Sequence, residues 1–123
     1  MARIFFVIAA VLGFLGVAGG AFGAHALRDV LDPESLGAYE TGIRYQVFHA
    51  FALAFAGWAL KEYQGSRFKH AGWFIIAGVA LFSGSLYIMS ITGMRWLGVI
   101  TPVGGLALLA GWFSLIVGLW KLK

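Results

Sequence analysis

Four long apolar runs, almost free of charged residues, constrain what this chain can fold into. They cover residues 4–26, 44–60, 71–92 and 97–120. A helix of about 20 apolar residues spans the hydrocarbon core of a bilayer, and in lipid a helix satisfies its own backbone hydrogen bonds. We therefore predict an all-α polytopic membrane protein, a single domain over residues 1–123 with four transmembrane helices in a bundle.

The composition supports the same class. Hydrophobic residues make up 61% of the chain and charged residues 11%, whereas soluble domains carry about 25% charged residues. The absence of cysteine excludes disulfides and thiolate metal sites. The nine Lys and Arg residues lie singly or in loose pairs at the ends of the apolar runs. That position is typical of membrane anchoring, so the predicted partner is the lipid bilayer and not nucleic acid.

The distribution of charge predicts the orientation. Four spans would place six basic residues on one side: Arg3, Lys61, Arg67, Lys69, Lys121 and Lys123. The other side would carry three basic residues together with most of the acidic ones: Arg28, Arg44, Arg95, Asp29, Asp32, Glu34 and Glu40. Because cytoplasmic loops carry the excess of Lys and Arg, we expect both termini in the cytoplasm.

Glycine-rich faces suggest how the helices pack. Gly13, Gly16, Gly20 and Gly23 share one face of the first helix, and small residues four apart allow a second helix to approach closely. We expect such faces to pack helices together. A homo-oligomer that associates through the glycine-rich faces is a possible assembly. A secretory signal cleaved after residues 24–26 is the alternative, which we disfavour because the apolar stretch is long for a signal.

The segment before the second span has the features of an interfacial amphipathic helix, at about 33–43. Asp32 is a good helix cap and Pro33 suits the first turn. Glu40 and Arg44 are four residues apart and could form an ion pair. Within the span that follows, bulky aromatic residues share one face, predicted to contact lipid, and small or polar residues share the other.

Polar residues inside the spans are the candidate site. If the four helices alternate in direction, most of these residues fall at the non-cytoplasmic ends, where they could form one cluster: His25, Arg44, Tyr45, Gln46, His49, Ser85, Thr92 and Thr101. Polar groups within a membrane are costly and often functional. In the fourth helix, one face carries Gly98, Thr101, Gly105 and Trp112.

His49 has two interpretations, and the structural one is preferred. A buried histidine commonly bonds a neighbouring hydroxyl or carbonyl group, and it serves less often as a ligand or proton relay. His25 and His49 are weak candidates for a metal, because two histidines without a carboxylate or thiolate at fixed spacing make a poor zinc signal. We predict no cofactor.

Four segments together resemble a known family. They are GAFGAHAL at Gly20–Leu27, RYQVFHA at Arg44–Ala50, LFSGSLY at Leu81–Tyr87 and LGVITPVGGLALLAGW at Leu97–Trp112. In this order they resemble the YgdD-like family of small bacterial membrane proteins, domain of unknown function 423, which has mitochondrial relatives. The resemblance covers nearly the whole chain. It implies a multi-pass protein of the bacterial inner membrane and supplies no activity.

The functional hypotheses follow from these features. A non-enzymatic membrane protein with a structural, assembly or partner-binding role is favoured, since no nucleophile–base pair and no paired carboxylates occur within a span. The alternatives are a small carrier or channel with an outward-facing polar cavity around His49, or a membrane protein that binds haem, a metal or a quinone. An enzyme is the least favoured class.

Overall fold

The computed structural model describes all residues, Met1–Lys123, and its regular structure is entirely helical. Helix α1 covers Ala2–Phe22 and continues as a π-helical turn over Gly23–Leu27. The other helices are α2 at Pro33–Tyr63, α3 at Ser66–Thr92 and α4 at Ile100–Trp120, with a 3-10 turn at Arg95–Val99 before α4. The predicted all-helical class is therefore confirmed.

The segment at 33–43 forms the first turns of α2 and leads directly into the apolar part of that helix. That helix runs for 31 residues without interruption. Asp32 caps its start by accepting a 2.8 Å hydrogen bond from the Ser35 backbone N–H, and Pro33 occupies the first turn. No residue between Pro33 and Arg44 breaks the helix, so the amphipathic and apolar parts join end to end.

Local sequence determines where α2 and α3 end. Gln64 adopts a left-handed conformation with φ 57° after α2, and Gly93 adopts one with φ 75° after α3. Glycine takes this conformation without the steric penalty that a Cβ brings. Each of these two residues donates its backbone N–H to a carbonyl four residues earlier, which ends the helix and reverses the chain.

The helices pack in the order of the chain, so that α2 lies between α1 and α3, and α4 packs along α3. Part of the predicted glycine face of α1 lies against α2. A Cβ added at Gly16 would come within 2.5 Å of Val47, and one at Gly23 would overlap the Tyr39 ring. Gly13, by contrast, has open space around it.

The α3–α4 interface buries a different face of α4 from the one that carries Gly98 and Gly105. The buried face of α4 carries Gly104, Leu108, Gly111, Leu115 and Gly118. Their spacing of four and three residues is a heptad pattern, which favours long contact between two helices. The predicted face with Gly98 and Gly105 is displaced from this seam; a Cβ at Gly105 would meet only Phe82, at 3.9 Å.

Three helical segments are long and apolar enough to cross a membrane: Ala2–Leu27, Ser66–Thr92 and Arg95–Trp120. Large apolar side chains cover the outside of the bundle, including Phe14 and Phe51, each 75% exposed. The core inside is small, and its largest fully buried side chains are Phe5 and Phe68. A surface of this kind is stable in lipid and would be unstable in water.

Candidate functional site

Gln46 links three helices through its side chain. Its Nε2 donates a 2.8 Å hydrogen bond to the Leu12 carbonyl of α1, and its Oε1 accepts a 2.6 Å bond from the Tyr87 hydroxyl of α3. The side chain is 6% exposed. Both ends of the amide are therefore used within the bundle, as a buried polar group requires.

His49 lies on another side of α2 and links it to α4. Its Nε2 accepts a 3.0 Å hydrogen bond from the Trp112 indole N–H, and its Nδ1 lies 2.8 Å from the Tyr45 carbonyl oxygen. An indole nitrogen can only donate and a carbonyl can only accept. The ring is therefore the neutral tautomer with its proton on Nδ1, and the lone pair of Nε2 is occupied by Trp112.

The other candidate residues make local contacts. Ser85 and Thr101 join α3 to α4 through hydroxyl groups 2.6 Å apart. Thr92 donates to the Ile88 carbonyl of its own helix and accepts a bond from the Met94 N–H. His25 is exposed on the π-helical turn. Among the eight predicted residues, only Ser85 and Thr101 hydrogen-bond each other through their side chains, so the eight do not form one hydrogen-bonded cluster.

Four polar residues that sequence reasoning left out of the candidate site are part of this arrangement. The Tyr39 hydroxyl donates to the Gly19 carbonyl at 2.7 Å, and the Ser83 hydroxyl donates to the Gly42 carbonyl at 2.7 Å. The other two are Tyr87, which bonds Gln46, and Trp112, which bonds His49. Ser83 and Tyr87 share a helical face in the sequence, which indicated an inward orientation, but the sequence could not identify their partners.

An open groove separates α2 from α4. The section beside Arg44, which we call the outer section, has a volume of about 760 Å³, with Phe82 of α3 contributing to the lining; the section beside Phe55, which we call the inner section, has about 630 Å³. Phe48 and Trp112 line both sections, so the two meet at the His49–Trp112 hydrogen bond. The outer section also contains Arg44 and Tyr45, whereas all eight residues of the inner section are hydrophobic.

The charged groups near the groove differ from the predicted arrangement. Glu40 and Arg44 do not pair; the ion pair of the structure joins Glu34 to Arg95, with O···N distances of 2.6 and 3.1 Å. The hydrogen bonds and positive charge of Arg95 lower the pKa of the exposed Glu34 carboxyl. The pair connects the first turn of α2 to the 3-10 turn before α4, and Arg44 has no acidic partner.

The candidate site residues do not form a set of metal ligands. No group of three or more His, Asp or Glu side chains lies close enough to hold an ion. His49, one of the two weak candidates, has both nitrogens in hydrogen bonds within the protein. A metal at Nε2 would have to displace the Trp112 indole.

The family model described as "Protein of unknown function (DUF423)" matches residues 19–105. The chain belongs to this family. The UPF0382 inner membrane protein YgdD of Escherichia coli (strain K12) is 39% identical over 121 residues, 98% of this chain and 92% of that protein. The UPF0382 membrane protein YwdK of Bacillus subtilis (strain 168) is 38% identical over 120 residues, 97% and 98% of the two chains.

Membership of the DUF423 family confirms the predicted resemblance and the class of membrane protein with transmembrane helices. The matched segment contains α2, α3 and the start of α4, and therefore Gln46, His49 and Ser85. No solved structure matches the chain. The family carries no assigned activity, so any function has to be inferred from the groove and the buried polar contacts.

Proposed function

We propose that all four helices cross the bacterial inner membrane, with both termini in the cytoplasm. Helix α2 is about 46 Å long at 1.5 Å per residue, more than the roughly 30 Å of the hydrocarbon core. It packs between α1 and α3, which are themselves apolar enough to cross. Its polar residues Gln46 and His49 are compensated by hydrogen bonds, which explains how a less apolar helix is accommodated.

Within that topology, the protein has a non-catalytic, partner-binding role, and the α2–α4 groove receives an apolar partner from the bilayer. The observation that carries this proposal is the groove itself, which stays open at the side of the bundle and is lined mainly by apolar side chains. Exposed concave apolar surfaces are typical binding sites. Each side-chain nitrogen or oxygen that is fully buried has a hydrogen-bond partner, so these groups stabilise the bundle that forms the groove.

The alternative of a carrier or channel receives less support from the groove. A path for a polar solute needs polar groups along its length, but the inner section is lined only by hydrophobic residues. A haem or metal site at His49 would compete with the Trp112 indole. A lateral binding role requires neither a polar path nor a free histidine nitrogen.

Photo-crosslinking in native membranes tests the proposal. A benzophenone amino acid replaces Leu106, which lines the groove and is 67% exposed. The matched control is the same replacement at Val17 of α1, which is 70% exposed and outside the groove. We expect a discrete adduct, with a lipid or a polypeptide, from Leu106 and only diffuse lipid labelling from Val17. Identical labelling at both positions would contradict a binding role.

A further inference from the structure

The outer section of the groove combines one unpaired cation with an apolar surface. Arg44 is exposed and lines this section together with Tyr45. The ion pair of the structure uses Arg95, and Glu40 does not pair with Arg44. The positive charge at the outer end therefore has no acidic partner within the chain.

The outer section of the groove matches one leaflet of a bilayer in length. Its α4 wall runs from Pro102 to Trp112, about 15 Å along the helix, and with the inner section the groove continues to Leu119. Half of the hydrocarbon core is roughly 15 Å thick. A groove with a cation at the headgroup level and apolar residues below it matches the length and polarity of a single phospholipid.

A flexible acyl chain fits the groove better than a partner helix does. A helix is about 10–12 Å wide with its side chains, and the His49–Trp112 hydrogen bond joins the two walls at the middle of the groove. A helix that entered to that depth would have to break this bond. An acyl chain can lie across the Phe48 and Trp112 rings and leave it intact.

We propose, building on the lateral binding role above, that the α2–α4 groove binds one anionic phospholipid from the non-cytoplasmic leaflet. The Arg44 guanidinium donates hydrogen bonds to the lipid phosphate, for which its planar fork is well suited. One acyl chain lies between α2 and α4, against Phe48, Gly105 and Trp112. The net negative charge of the headgroup matches the unpaired positive charge of Arg44.

Native mass spectrometry of the full chain in detergent, with added phosphatidylglycerol or phosphatidylcholine, tests this assignment. We expect one phosphatidylglycerol to bind more tightly than phosphatidylcholine, and Arg44→Gln to weaken phosphatidylglycerol binding roughly tenfold, as loss of a charge-assisted contact predicts. Gly105→Phe should weaken binding of both lipids, because its ring would occupy the groove; a Cβ there has room, at 3.9 Å from Phe82.

Two control variants match these changes. Arg28→Gln removes another exposed cation from the same side of the bundle, and Gly84→Phe adds the same ring where a Cβ would have nothing within 4 Å. Both should bind lipid as the unmodified protein does, and circular dichroism checks that all four variants are folded. Unchanged phosphatidylglycerol binding by folded Arg44→Gln overturns the proposal.

The crosslinking experiment at Leu106 distinguishes the partner-binding role of the groove from the assignment of a phospholipid as its ligand. A discrete polypeptide adduct together with no preference for phosphatidylglycerol would overturn the lipid assignment and leave the partner-binding role standing. Labelling no different from that at Val17, with no lipid preference, would overturn both. A discrete lipid adduct that disappears with Arg44→Gln would support both.

Discussion

Replacement of Gly104 by alanine should destabilise the α3–α4 pair. The added Cβ would overlap the backbone nitrogen of Phe82 and lie 2.8 Å from its Cα and 2.9 Å from the Leu81 carbonyl carbon. Ordinary contact begins near 3.4 Å, and the Phe82 nitrogen is the nearest obstacle, so the two helices would have to separate by about 1 Å. Backbone atoms cannot rotate away as a side chain can, and the whole seam is therefore disturbed.

The cost follows from the general behaviour of overpacked interiors. Extra methyl groups in well-packed contacts typically cost about 1–3 kcal/mol, and here the obstacle is backbone. The neighbouring Gly105 is a matched control, because a Cβ there meets only Phe82 Cδ2, at 3.9 Å. Gly105→Ala should change stability by less than about 1 kcal/mol and could stabilise α4, since alanine favours helix over glycine.

The assay is reversible unfolding of the two purified variants in mixed micelles, with increasing fractions of a denaturing detergent and circular dichroism as the readout. We expect the Gly104→Ala transition to occur at a lower denaturant fraction than that of the unmodified protein, and the Gly105→Ala transition to remain close to it. Equal stability of the two variants would refute the close approach of α3 and α4 at Gly104.

Three further predictions concern the polar contacts. Trp112→Phe leaves Nε2 of the buried His49 without a donor and should cost about 1–3 kcal/mol of unfolding free energy. The control Trp120→Phe, at a residue 87% exposed, should cost almost nothing. Equal effects of the two variants would contradict the hydrogen bond between His49 and Trp112. A double-mutant cycle of Gln46→Leu and Tyr87→Phe should give a coupling energy near 0.6 kcal/mol and at most about 1.7, and zero coupling would exclude their hydrogen bond. Arg95→Gln should raise the pKa of Glu34, measured by NMR titration, towards its ordinary value. Because the ion pair lowers this pKa, the stabilisation that the pair gives is present above the unfolded-state pKa of Glu34 and is lost as pH falls through its folded-state pKa. An unchanged Glu34 titration would contradict the ion pair.

The sequence predicted the helices better than their contacts. Lengths of apolar runs and the Asp32–Pro33 start were sufficient for the elements, since these are local signals. Contacts depend on which helix faces which, and helical periodicity gives α4 more than one face that carries glycine. The alternation of glycine and leucine from Gly104 to Gly118 was the signal that could have identified its buried face.

The candidate site was likewise predicted only in part from the sequence. The sequence singled out polar residues within the apolar runs, and the structure shows that Gln46 bonds the Leu12 carbonyl and His49 bonds Trp112, both near the middle of the helices. The sequence could not predict that Gln46 and His49 point to different neighbours, because small changes in helix rotation decide which carbonyl or ring each one reaches. Trp112 was assigned only to a helix face, since an indole in an apolar run looks like any other aromatic residue.

The most direct test of the account asks whether α2 crosses the membrane. The chain contains no cysteine, so Gly37→Cys and Glu62→Cys introduce single thiols near the two ends of α2; both residues are exposed, and a Cβ at Gly37 has open space. In Escherichia coli spheroplasts treated with an impermeant maleimide, we predict labelling at residue 37, and labelling at residue 62 only after permeabilisation. Labelling of both thiols from the same side would contradict the four-helix crossing and the outward position of the groove that depends on it.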